Sequence, residues 1–220
     1  MKIHNVIQGS EEWHALRAKH PTASEAPAMM GCSKYKTRDD LLALKVTGED
    51  KPIDAHTQKL LDKGHETEAM ARPLAEDIVG EELFPVTATD DDDYLLASYD
   101  GITLLEDVVY EHKLWSEPLA ECVRNDKLDP YYYWQLEQQL LVSGAEHVVF
   151  VVSDGTAEKF EYMVYEPVPG RAEALLAGWA QFQKDLESYR PAEYIPAPEA
   201  TPVKGLPAIR YQLNGLALTS

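Results

Sequence analysis

The spacing of apolar residues divides the chain into two textures. Up to Gly80 they recur at three- and four-residue intervals, the period of a helix with one buried face. Ser10 caps a short predicted helix that runs through Trp13 and Leu16 to about Lys19, and Pro21 ends it. Thr22 and Glu25 make a T-x-x-E capping box that opens a second helix toward Met30. A third is expected over about 38–47, stopping at Gly48, and a long one over about 55–79. On the long helix Leu61, Gly64, Glu68, Ala71, Ala75 and Ile78 form one stripe at helical spacing, and Pro73 predicts a kink or break.

After Gly80 the period shortens. Strands are expected over 83–88, 94–98, 102–106 and 108–115, with Asp100-Gly101 read as a tight turn. Asp129 followed by Pro130 reads as an N-cap and a proline at the first helical position, opening a helix that runs to Ser143 and stops at Gly144. Strands over 147–153 and 159–166 flank Asp154-Gly155, a hairpin signal, and a last helix covers about 170–189. Beyond Arg190 prolines recur without periodicity, so residues 1–190 read as a single domain and 191–220 as an extended tail. No internal repeat is visible, and the fold class is α/β.

A chain of 220 residues can bury one good core. No apolar run reaches the length of a membrane span and no charged-then-apolar leader opens the chain, so a soluble protein of the cytoplasm is expected. Cys32 and Cys122 lack C-x-x-C or zinc-like spacing and read as reduced thiols. The net charge of −18 argues against a nucleic-acid partner, because phosphates are met with Lys and Arg. That objection is not decisive: a local basic lining can coexist with an acidic exterior, and carboxylates that hold metal ions add to the count. The run Asp90–Asp93 reads as a solvated loop.

The stretch "SYDGITLLEDVVYEHK" (98–113) admits two readings. One is a hairpin with charges on its wet face. The other is chemical. Glu111 and Lys113 share a strand face with the apolar Val109 and Trp115, and Asp100 can sit at the end of the neighbouring strand. Asp100 and Glu111 could then hold a hard cation through oxygen, while Lys113 orients water or stabilises charge on a phosphate. Glu68 lies on an otherwise apolar stripe and needs a partner, either a metal or an ordinary ion pair. Gln135 is either a surface amide or a contact to phosphate or water.

Taken in order, Glu68 in "GHETEA", Asp100 in "SYDG", Glu111 and Lys113 in "EHK" and Gln135 in "YYYWQLEQQ" resemble the motifs of the PD-(D/E)-x-K nucleases. Within that superfamily "EEWHALR" followed by "TASE" is similar to the N-terminal signature of the lambda exonuclease (YqaJ-type) viral recombinase family. The resemblance covers about Gln8 to Glu166. It implies a restriction-endonuclease-like core, with a central mixed sheet flanked by helices. It also implies a Mg²⁺-dependent 5′-to-3′ exonuclease on linear double-stranded DNA, with two ions per site and Mn²⁺ as a substitute. A homotrimeric ring and a companion single-strand annealing protein in phage recombination complete the expectation, in the cytoplasm of a bacterial host.

By the same resemblance Asp100 and Glu111 match the metal-holding acids, Lys113 the catalytic lysine, Glu68 the helix acid near a second metal or its water, and Gln135 the helix glutamine. Arg17, Ser24 and Ser98 match positions lining a pocket for a terminal 5′-phosphate. Tyr99 departs from the pattern, since a proline often precedes the aspartate; no ligand is lost by it. Read from the residues alone, Ser24 falls in the first turn of a capped helix, where anions are favoured, and Arg17 could reach the same phosphate; the plain alternative is a simple cap with Arg17 turned to water. Leu61 reads either as core or as a wedge that parts the strands. Lys34, Lys36 and Lys45 are candidates for a basic channel lining. Another nuclease of the same fold, a restriction endonuclease or a RecB-type domain, remains open, as does a non-enzymatic acidic module that binds metal or a partner.

Overall fold

The computed structural model describes residues 1–50 and 54–190. Six strands form one sheet in sequential order: β1 (Lys2–His4), β2 (Phe84–Thr89), β3 (Leu96–Ile102), β4 (Val108–Leu114), β5 (His147–Ser153) and β6 (Phe160–Tyr165). All neighbours are antiparallel except β4 and β5. A parallel pair needs a long crossover, and here two helices provide it, α5 (Glu117–Arg124) and α6 (Pro130–Ser143). The remaining helices are α1 (Glu11–Lys19), α2 (Ala26–Met29), α3 (Arg38–Thr47), α4 (Ala55–Val79) and α7 (Arg171–Ser188). The architecture is thus the expected α/β one, a mixed sheet flanked by helices.

The sheet is covered on both faces. One face carries the main core, where Val109, Val148, Phe150 and Val152 meet Leu136 and Leu140 of α6 and Leu175, Trp179 and Phe182 of α7. The other carries a smaller cluster, in which Ala75 of α4 packs with Leu83, Tyr110, Val149 and Val151. β5 alternates between the two clusters, which accounts for its unbroken apolar run. Gln138, fully buried, ties the layers together. Its amide nitrogen donates to the carbonyls of Pro21 (2.9 Å) and Leu96 (3.1 Å), and its oxygen accepts from Trp179 Nε1 (2.8 Å).

Several expectations need correction. Asp100-Gly101 is no turn. β3 runs straight through it, and the chain reverses at Thr103–Asp107, where Thr103 Oγ1 accepts from the amides of Asp107 and Val108 and Glu106 takes a left-handed φ of 62°. Gly101 is needed for a different reason: a Cβ there would lie 2.9 Å from Leu83 Cβ and 3.2 Å from Tyr110 Cδ1. Pro73 does not break α4. It faces solvent, so the carbonyl it leaves unpaired is free to meet water, while Ala71 and Ala75 are buried against the sheet on either side. The apolar stripe of α4 is only half a stripe, since Leu61 and Ile78 are 43% and 39% exposed. The second helix is a 3-10 turn (Ala23–Glu25) running into the single turn of α2. β1 and α5 were not anticipated. The tail expected over 191–220 lies outside the described residues.

Gly101→Ala should therefore lower stability by roughly 1–3 kcal/mol, the usual cost of overpacking, because the atom it meets is fixed next to the backbone. Urea unfolding followed by tryptophan fluorescence measures this; an unchanged midpoint would mean that Leu83 yields freely.

Candidate active site

β3 and β4 pair at Ile102–Val109 and Gly101–Tyr110, and the ladder ends there. One residue further, the amide of His112 donates to Asp100 Oδ2 at 2.8 Å. A side chain thus takes the donor that the next rung would have used, and Asp100 is held where the strands part.

Glu111 points to the α6 side of the sheet and is 2% exposed. Its Oε1 accepts from Gln135 Nε2 at 2.7 Å and from the Lys113 ammonium, and its Oε2 accepts from Gln139 Nε2 at 2.6 Å. Gln135 Oε1 lies 3.4 Å from Lys113 Nζ, so lysine, glutamate and glutamine form one cluster. The two glutamines are one helical turn apart on α6, the spacing that brings both over the same strand residue.

From α4, Glu68 accepts from Arg72 Nη2 at 2.7 Å, and the same guanidinium reaches the Asp100 carbonyl through Nε at 3.1 Å. Arg72 therefore ties the helix acid to the strand that carries Asp100. Burial pushes the Asp100 carboxyl well above the ordinary carboxylate range, and Glu111 and Glu68 push it the same way against Lys113. Glu68 is raised by burial, which Arg72 opposes. Burial alone would lower Lys113, but Glu111 and Asp100 outweigh it and hold the ammonium charged. His112 donates to or accepts from Ser153 Oγ at 2.9 Å; burial and Lys113 take its pKa down to about 4, so it is neutral at pH 7.

A second group stands nearby. Arg17 Nη2 donates to Ser24 Oγ at 2.8 Å, and its guanidinium lies over the Trp13 ring, 4.3 Å from the centroid. Trp13 Nε1 in turn donates to Ser98 Oγ at 2.9 Å. Ser24, Arg17, Trp13 and Ser98 are thus one connected row. With only a 3-10 turn and a four-residue helix behind Ser24, the helix dipole adds little, and Arg17 is the charge available to an anion.

One cleft of about 400 Å³ joins the two groups. Asp100, Glu111, Lys113, Glu68, Gln135, Arg17, Ser24, Ser98 and Leu61, each singled out from sequence, line it together. So do Gln8, Trp13, Tyr131 and His65, which were not singled out as site residues. Trp13 and Tyr131 stand inside the quoted motifs "EEWHALR" and "YYYWQLEQQ", and Arg72 follows Glu68 at the i, i+4 ion-pair spacing, so each left a trace in the sequence. Leu61 is exposed on the cleft wall, not core. Of the candidate lining lysines, Lys34 pairs with Asp129 at 3.5 Å and Lys36 with Asp50 at 2.7 Å. Lys45 is turned inward, donating to the carbonyls of Arg17 and His20 and pairing with Glu25, so its role is structural.

The donor set suits a hard divalent cation. It is all oxygen, and burial, followed by the nearby Glu111 and Glu68, raises the Asp100 carboxyl, an environment that a bound cation would oppose. Among the described residues, no three His, Cys, Asp or Glu side chains make a ready cage. Mg²⁺ does not need one, because it commonly binds through one or two carboxylates and keeps several waters. Asp100 Oδ2 alone is engaged by His112, and Glu111 has three of roughly four lone-pair sites taken, so both retain oxygen capacity.

The fold is similar to that of the alkaline exonuclease LHK-Exo from Laribacter hongkongensis, with a TM-score of 0.68 and 24% identity over 81% of this chain and 93% of that one. The same enzyme in complex with dAMP matches with a TM-score of 0.67. A phage-related exonuclease from Haemophilus somnus 129PT matches with a TM-score of 0.56 at 11% identity, covering 80% of this chain and 96% of that one. Among curated protein sequences none matches significantly. The YqaJ-like viral recombinase domain matches residues 12–146, which is more than half of the chain and carries every one of the nine site residues; the chain belongs to the YqaJ-like viral recombinase family.

Proposed function

We propose that this chain is a Mg²⁺-dependent exonuclease that degrades one strand of linear double-stranded DNA from its 5′ end. The 3′ single-stranded overhangs it leaves would feed phage-type recombination by strand annealing. One observation carries the reading: a single cleft joins the acid and lysine cluster to the Arg17–Ser24–Ser98 row. Family membership and a fold like that of LHK-Exo, solved with dAMP, are in keeping with it.

On this reading Asp100 and Glu111 hold the cation, with Glu68 beside a second ion or its water. Bound there, a divalent cation supplies Lewis acidity and neutralises charge on the scissile phosphate. Lys113, fixed by Glu111 and Gln135, orients the attacking water and donates to a phosphate oxygen as charge builds. Arg17 binds the terminal 5′-phosphate beside Ser24 and Ser98, which sets the end from which the strand enters. Leu61 meets the DNA end from the exposed wall of α4 and helps part the strands. A single-strand annealing protein is the partner, and the cytoplasm of a bacterial host carrying the phage or prophage is the setting. Among the described residues no helix is long and apolar enough to cross a membrane.

The purified protein should degrade linear duplex with Mg²⁺ or Mn²⁺, stop with EDTA, and spare a covalently closed circle. Lys113→Ala should lose activity by at least about 10²-fold while still binding metal and DNA, and Asp100→Ala should lose metal binding as well. Cutting of the closed circle would replace this reading by an endonuclease of the same fold. Full activity in Lys113→Ala would remove the proposed centre.

A 5′-phosphorylated duplex should be degraded faster than its 5′-hydroxyl counterpart by about 10- to 100-fold, the value of hydrogen bonds to a charged group. Arg17→Ala should erase most of that ratio with metal affinity unchanged; equal rates on the two ends for the unaltered protein would sink the phosphate pocket.

With a net charge of −18, binding a duplex calls for a surface shielded from most of those acids. A closed trimeric ring would turn acidic faces outward and gather basic groups, Lys34 and Lys36 among them, around a channel. Light scattering should report three subunits. A monomer that is active and processive at working concentration would exclude the ring.

A further inference from the structure

Gly64 stands in the interior of α4, where glycine is the poorest residue short of proline for holding a helix. The usual reasons for such a choice are absent. Its φ is not in the left-handed region, so no turn requires it. A Cβ added to it would meet no atom within 4 Å, so no neighbouring element requires it either. It is not a hinge: the helix passes through it unbroken, and Thr67 Oγ1 holds that turn by donating to the carbonyls of Lys63 (2.9 Å) and Gly64 (3.0 Å).

What Gly64 does face is the cleft. It lies one helical turn before Glu68 and one turn after Leu60, so the three share a face of α4, and Leu61 borders the same face. Leu60 and Leu61 are 46% and 43% exposed there. The wall of the cleft thus passes from two exposed leucines, across a bare stretch of helix backbone, to a carboxylate. The one place on that wall without a side chain is also the place where a side chain would have room.

We propose that Gly64 is a substrate-positioning residue: its bare backbone is the surface over which the terminal nucleotide of the entering strand passes, in van der Waals contact with α4, to reach the acids. The space a Cβ would fill is occupied by the sugar and phosphate of that nucleotide. Helix stability is given up at this position to admit the substrate. This inference rests on the nuclease reading above.

Gly64→Ala and Gly64→Leu test it, with Ala69→Leu on the same helix but outside the cleft as the control. Three quantities are measured: thermal midpoint, affinity for a 5′-phosphorylated duplex end in Ca²⁺, and exonuclease kcat/KM in Mg²⁺. Gly64→Ala should raise the midpoint by about 2 to 4 °C, as a better helix former in a domain of this size, while weakening both affinity and kcat/KM. Gly64→Leu should weaken them further, by roughly tenfold or more, equivalent to about 1.4 kcal/mol. Ala69→Leu should change neither. If Gly64→Leu binds and degrades DNA as the unaltered protein does, the inference falls while the nuclease reading stands. If the unaltered protein neither binds nor degrades DNA, the nuclease reading falls first. A loss of activity accompanied by a lower midpoint in Gly64→Ala would also overturn the proposal, because it would mark Gly64 as structural.

Discussion

The Glu111 carboxylate is the constraint around which the site is organised. A charge removed from water is costly unless donors replace the lost hydration, and leaving it unpaired costs several kcal/mol. At 2% exposure Glu111 has three donors, from Gln135, Gln139 and Lys113. Two of them come from α6, so that helix cannot slide or rotate on the sheet without stripping the acid. Gln139 also donates to the Ser98 carbonyl at 3.2 Å, and the next residue along, Gln138, ties the same helix to Leu96 and Trp179. Satisfying one buried acid thereby fixes the register of β3, β4 and α6 together.

The opposite side of the site follows from the parting of β3 and β4. Had the ladder continued, the His112 amide would have been consumed by backbone and Asp100 would be an ordinary strand residue. The carboxylate takes that donor, and Arg72 of α4 takes the Asp100 carbonyl. The same Arg72 neutralises Glu68. Helix and strand acids are therefore placed by one guanidinium, from the face of the sheet opposite α6. Burial, and then the nearby Glu111 and Glu68, hold the Asp100 carboxyl well above the ordinary carboxylate range, and a bound cation would oppose that shift.

The sequence made the composition of this site legible but not all of its geometry. Caps were readable because they are local: Ser10 and Asp129 accept from the first turns of their helices, Thr22 and Glu25 form the expected capping box, and Gly48 and Gly144 close theirs. Glu111 and Lys113 were readable as one face because strand period is fixed. Asp100-Gly101 misled because the local signal for a turn is the same as that for a glycine forced by a neighbour across the sheet, and Leu83 is not visible in a local window. The break expected at Pro73 does not occur for a related reason, since its cost depends on whether the unpaired carbonyl meets water. Leu61 and Ile78 fit the helical period yet stay exposed, because period tells which face they share and not how far the sheet extends beneath it. Gln139 was hidden among the other glutamines of α6 because nothing in its spacing distinguishes a donor to Glu111 from a surface amide.

Acidic composition and the proposed nucleic-acid substrate are reconciled by the kind of contact the cleft offers. Proteins that grip duplex along its length gather many Lys and Arg, and their affinity is dominated by phosphate neutralisation. Here the cleft presents Arg17 and Lys113, and Lys113 is bound to Glu111. Such a cleft is poorly suited to a long stretch of backbone and better suited to one terminal phosphate, with the proposed cations, where bound, meeting the next. Surface acids would then act in the same direction as the cleft. They would repel duplex approached from the side, and leave the end, which would meet Arg17 and the acids proposed to hold metal, as the favourable point of entry. On this view the negative charge and the end preference of the proposed reaction are two consequences of one distribution of charge.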